Sequence, residues 1–109
     1  MASRRGNTGR LVVILWRDIP AQVTAGGRAD GAKVLLDARF QHAIDRAAAV
    51  AGATDTESYV AQWRRETEPL VGDPDAGARA RARQLDDAFP QPVLERLVRS
   101  GGWQTEETP

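Results

Sequence analysis

The stretch Leu11-Val12-Val13-Ile14-Leu15-Trp16-Arg17-Asp18-Ile19-Pro20-Ala21-Gln22-Val23 limits the fold more than any other part of the chain. Six apolar residues run without a break into a charged pair, a proline and a second short apolar run. Such a continuous run reads as a strand buried on both faces, and therefore as a central one. It delivers Trp16, Arg17 and Asp18 to the mouth of a turn. Pro20 has no N–H and holds Ile19 extended. Residues 21–25 alternate weakly and can return as an antiparallel partner, and Gly26-Gly27 ends it.

The rest of the chain reads as mostly helical. Asp30 has the place of an N-cap and Gly52 that of the glycine after a helix. Between them Leu36, Phe40, Ala43, Ile44, Ala47 and Ala51 recur at the three- and four-residue spacing of one helical face. Thr54 followed by Glu57 has the spacing of a capping box and opens a short helix carrying Tyr59, Val60 and Trp63. The segment Arg64-Arg65-Glu66-Thr67-Glu68-Pro69 reads equally as an edge strand or a loop, and Pro69 bars it from the centre of a sheet. Asp73-Pro74-Asp75 is a strong helix start, with Ala78, Ala82, Leu85 and Phe89 on one side. Pro90 and Pro92 break that helix and open a last one with Val93, Leu94, Leu97 and Val98 apolar, which Gly101-Gly102 stops. The expected architecture is α+β: an N-terminal β-hairpin, with an optional third edge strand, packed against about four helices.

With 109 residues the chain has enough length for one modest core. Residues 1–9 read as a flexible tail, 10–102 as the single domain and 103–109 as an acidic tail. The formal net charge is zero, whereas a general nucleic-acid or membrane-surface binder is usually basic. Lys33 is the only lysine among the fifteen basic residues, and the others are arginine. Arginine suits carboxylate and phosphate recognition, but GC-rich coding explains the same bias. Cysteine is absent, which excludes disulfides, thiolate metal sites and a cysteine nucleophile. No apolar run approaches membrane-spanning length, and the short run before Arg17 does not make a signal peptide. A cytoplasmic protein is expected.

Chemistry is hard to place. His42 is the only histidine and reads as an exposed helical residue. Ser3, Ser58 and Ser100 stand in no nucleophile context. The glycines of Gly26-Gly27-Arg28-Ala29-Asp30-Gly31 lack the spacing of a phosphate loop and offer at most an anion contact. The acid pairs Asp73/Asp75 and Asp86-Asp87 look solvated, and capping accounts for the first pair. No catalytic residue and no metal ligand is assigned, and no cofactor is expected. The sites left over place tryptophan beside arginine: Trp16, Arg17 and Asp18, with Trp63, Arg64 and Arg65. Tryptophan and arginine dominate interface hot spots, so the two groups are candidates for one docking surface or one anion pocket. The bland alternative is core packing for Trp16 and Trp63, with a local Arg17–Asp18 ion pair worth little. Trp103 either folds back on the core or anchors a partner.

The run from Trp16 to Val23 resembles the signature of short bacterial proteins known only by the label virulence factor. Arg39-Phe40 with Ala43-Ile44-Asp45-Arg46-Ala47-Ala48, and Tyr59-Val60-Ala61-Gln62-Trp63-Arg64, resemble that family's following segments. The likeness covers about residues 11–102. Leu15 departs from it, where relatives are expected to carry an aromatic residue. The resemblance supplies no catalytic residue. It implies a setting near corrinoid- and folate-dependent methyl transfer. The expectation is a small non-catalytic adaptor that docks on a larger enzyme of one-carbon metabolism, with a methyltransferase-type protein as partner. The alternative is an anion-binding or enzymatic protein in which Arg17, Arg64 and Arg65 hold a phosphate or a folate glutamate. A nucleic-acid role through Arg4, Arg5 and Arg10 rests on a short tail alone.

Overall fold

A computed structural model describes residues 9–26 and 31–104. The N-terminal tail up to residue 8, most of the 26–31 glycine-rich segment with Asp30, and the end of the acidic tail lie outside the described residues. The chain forms β1 (Arg10–Trp16), β2 (Ile19–Ala25), β3 (Ala32–Leu35), α1 (Ala38–Ala51), α2 (Thr56–Ala61), β4 (Trp63–Pro69), α3 (Pro74–Ala88) and α4 (Gln91–Arg99). The strands make one antiparallel sheet in the order β3-β2-β1-β4. The architecture is α+β, with two more strands than the hairpin alone.

Strand β1 is central, as its apolar run demands, but its two faces are not equally buried. Leu11, Val13 and Leu15 are buried, while Val12 and Ile14 are only half-buried. Alternation along the strand sends the first set to one face and the second to the other. On the first face α3 covers the sheet, and Ala78, Ala82 and Leu85 pack with Leu11, Val13, Leu15, Val23 and Ala25. On the second face, cover is confined to one end. There Trp16 and Ile19 sink among Phe40, Ala43, Ile44 and Ala47 of α1 and Leu94, Leu97 and Val98 of α4. The alanines let those two helices approach closely. A bulge between Ile14 and Leu15, where Leu15 faces Pro20, lets the missing N–H of Pro20 sit within an inner strand.

The helix expected from Asp30 begins later. Ala32-Lys33-Val34-Leu35 is the edge strand β3, and Asp37 caps α1 by accepting from the Arg39 N–H at 3.2 Å. Two-residue alternation wins there. Val34 and Ala32 turn to the helix-covered face and Lys33 and Leu35 turn away. Leu36 fits either period and packs against both cores, so in the sequence the helical stripe starts with it. The cap of α2 is Asp55, not Thr54: its carboxylate accepts from the Ser58 N–H at 3.1 Å, and hydrogen bonding from the Ser58 side chain, with that N–H, holds its pKa below the usual carboxylate range. Trp63, expected on that helix, begins β4 instead. Residues 63–69 are a strand, and it lies at the sheet edge as Pro69 requires. The Asp73 cap and the Pro74 start of α3 are as expected. No helix among the described residues is long and apolar enough to cross a membrane.

Candidate functional site

Trp16 and Ile19 face each other across the first hairpin, so Arg17-Asp18 is its whole loop. Arg17 has φ of 57°, the one positive value among the described non-glycine residues. A positive φ at only the first of two loop residues is the pattern of a type II′ turn, and glycine normally supplies it. Arginine is kept there by contacts on every side. Its N–H donates to the Gln62 carbonyl at 3.0 Å, and its own carbonyl accepts from Arg64 Nε at 2.7 Å. Its side chain donates from Nε to Gln62 Oε1 at 3.1 Å and from Nη1 to the Gly101 carbonyl at 2.9 Å. The guanidinium lies between two indoles, 5.1 Å from the Trp16 ring centroid and 5.2 Å from that of Trp103. Each stack adds a cation–π attraction.

Asp18 completes the clamp. It pairs not with Arg17 but with Arg64, whose Nη2 donates to Oδ1 at 2.8 Å. Its Oδ2 accepts from the Gln104 N–H at 2.6 Å, and its own N–H donates to the Gly102 carbonyl at 2.9 Å. Arg64 also donates to Glu66 at 2.7 Å. Partial burial disfavours the Arg64 charge, but the bonds to Glu66 and Asp18 outweigh it and raise its pKa above the ordinary value. Gly102 has φ of 98°, and a Cβ there would stand 3.0 Å from Trp16 Cζ3. The residues after α4 are therefore pressed flat on the hairpin tip.

Trp16 is fully buried, and its Nε1 donates to the Tyr59 carbonyl at 2.9 Å. Trp63 sits opposite it in the β1–β4 ladder, and Tyr59 packs against both rings at 5.7 and 6.0 Å. Trp103 folds back on Arg17 while remaining 46% exposed. The structure thus brings Trp16, Arg17, Asp18, Trp63 and Arg64 to one end of the sheet. Arg65 does not join them. It faces the second side of the sheet, opposite Ile14, and is exposed.

Two of the concavities among the described residues lie away from the hairpin tip. One of about 450 Å³ runs between α1 and α4, lined by Arg39, His42, Ala43, Asp45, Arg46 and Gln91. His42 is exposed there, as expected. The other, of about 390 Å³, opens on the second face of the sheet between Ile14, Ala21, Gln22, Leu35, Gln41 and Trp63. Its floor continues as a face that no described element covers. By register the rows on that face run Arg65, Ile14, Gln22, Leu35 and then Thr67, Val12, Thr24, Lys33, with Arg10 beyond. Leu35 is 68% exposed. Reasoning from the sequence missed this face because the helix was extended over β3. The signal that reveals it is the alternation of Lys33 and Leu35 with Ala32 and Val34.

A family model described as virulence factor matches residues 14–98, well over half of the chain. No curated protein and no solved structure matches significantly.

Proposed function

The chain belongs to the virulence-factor family, and from that starting point we propose that it is a small adaptor that docks on a larger enzyme system. The uncovered second face of the sheet is the observation that carries this reading. Sheets in small domains bury their apolar faces under a second layer. Here α3 supplies that layer on one side, while on the other Leu35 is exposed and Val12 and Ile14 are only half-buried. The arrangement at the hairpin tip supports the same reading. Arg17 and Arg64, two of the arginines that an anion pocket would need, are spent on Gln62, Gly101, Asp18 and Glu66. They brace the scaffold from which the open face is presented. We place the partner in one-carbon transfer, as a methyltransferase-type enzyme, on the family resemblance of residues 16–23.

Affinity purification from the native host tests the proposal. Stoichiometric recovery with a methyl-transfer enzyme is the expected result, and recovery as a lone monomer would overturn it. The opposing outcome, a small-molecule site, has its own assay. A melting temperature raised by folates, corrinoids or phosphate, and no longer raised in Arg17→Ala, would replace the adaptor by a ligand-binding protein.

A further inference from the structure

The open sheet face has a charge of one sign. Register places Arg10, Lys33 and Arg65 on it, and places the carboxylates of β4, Glu66 and Glu68, on the other face. Glu66 and Glu68 are taken up by Arg64 and Arg81. The ion pairs among the described residues use Arg39, Arg46, Arg64, Arg79 and Arg81, and Arg10, Lys33 and Arg65 are in none of them. All three are assigned to this one face although the chain as a whole is neutral.

Their spacing has a scale. With strands about 4.8 Å apart and about 3.4 Å per residue, Lys33 and Arg65 stand about 16 Å apart across the sheet. Arg10 lies about 12–14 Å from each. That is too wide for one phosphate or carboxylate group. It matches the width of an α-helix with its side chains, about 10–12 Å, held between two flanking cations. The floor between them is aliphatic and small-polar: Val12, Ile14, Leu35, Thr24 and Gln22. Single-stranded nucleic acid is usually gripped by aromatic platforms. The aromatic residue at the border of this floor, Trp63, is engaged edge-on with Tyr59.

We propose that this face is the docking surface for an acidic amphipathic helix of a partner protein. The helix would form the missing second layer, with its apolar stripe on Val12, Ile14 and Leu35 and its carboxylates against Lys33, Arg65 and Arg10. This rests on the adaptor reading and adds the surface and the chemistry of the partner.

The test uses the full chain and a fluorescein-labelled helical peptide with a leucine stripe flanked by glutamates. Binding is expected, weakening with salt. A Lys33→Glu/Arg65→Glu variant, whose sites are exposed, is expected to lose at least about tenfold in affinity, because charge reversal sets like charges face to face. Amide resonances of residues 12, 14, 22, 24 and 35 are expected to shift on titration, and those of α4 to stay. A second arm places a photo-crosslinking residue at position 35 or, as control, at position 57 in the native host. No peptide binding, equal binding to the charge-reversed variant, tighter binding to oligothymidylate, or concentration-dependent self-association through the same face would each overturn the proposal. Crosslinking of a partner at position 57 alone would also overturn it while leaving the adaptor reading intact. A chain that crosslinks at neither position and purifies alone would defeat both.

Discussion

At Arg17 two residue-scale effects oppose each other. Its positive φ costs about 1–2 kcal/mol in a side chain with a Cβ. Its side-chain hydrogen bonds to Gln62 and Gly101, half-buried and open to solvent competition, contribute about 0.5–1.5 kcal/mol each in the other direction. The stacks on Trp16 and Trp103 add about 0.5–1 kcal/mol each. The contacts therefore win, and the two terms can be separated by mutation. Arg17→Ala keeps the strained backbone and loses the contacts, whereas Arg17→Gly loses the contacts and relieves the backbone. Both are expected to lower stability in urea unfolding. Arg17→Ala should do so by about 2–3 kcal/mol, and Arg17→Gly by about 1 kcal/mol less. Equal losses would show that the turn is not strained. None of this was legible in the sequence beyond the statement that a Trp-Arg-Asp triplet sits at a turn. The partners of Arg17 and Asp18 come from residues 62–64 and 101–104, and no local pattern announces contacts of that range.

Among the elements, the α1–α4 pair shows how surface charge is coupled to packing. Arg46 reaches across from α1 and donates twice to Glu95 on α4, at 2.7 and 3.0 Å, and Gln91 donates to the same carboxylate at 2.9 Å. The Arg46 and Gln91 hydrogen bonds lower the Glu95 pKa from 4.5 to about 2. A depressed folded-state value means that the unfolded chain takes up the proton first as pH falls. The contribution is therefore complete above the unfolded value of 4.5, and it is lost as pH falls from there towards 2. Glu95→Gln is expected to flatten the dependence of Tm on pH across that window, and an unchanged slope would remove the pair from the stability of the two-helix layer. The β1–β2 hairpin, the apolar stripes of the helices and the Asp73-Pro74 start were legible, whereas α1 and α2 are capped by Asp37 and Asp55 and not by Asp30 and Thr54. Strand β3 was not legible, and β4 was legible only as one of two readings, edge strand or loop. Residues 32–35 span too few positions to show their period against the helical stripe that begins at Leu36. Residues 64–68 are charged and polar on both faces because an edge strand with one open side has no need of an apolar run.

Over the whole molecule, two cores lie on opposite faces of one sheet, and Leu36 and Phe89 touch both. The second core stops at the Trp16 row, and the rest of that face is surface. Leu35→Asp is accordingly expected to change the unfolding free energy by less than about 0.5 kcal/mol, as exposed substitutions do. A loss near 2 kcal/mol would make Leu35 part of the core and close the face. The clamp at the hairpin tip also has a consequence in time. A two-residue hairpin is usually among the earliest structures a chain makes, because its ends are neighbours in sequence. This one has a loop that is unfavourable by itself and becomes favourable only when residues 62–64 and 101–104 have arrived. The tip is therefore expected to act as a late latch, closing after the sheet and both helical layers have assembled. Arg17→Ala should then accelerate unfolding and leave the folding rate nearly unchanged in stopped-flow measurements. A folding rate that falls in step with stability would show that the turn closes first.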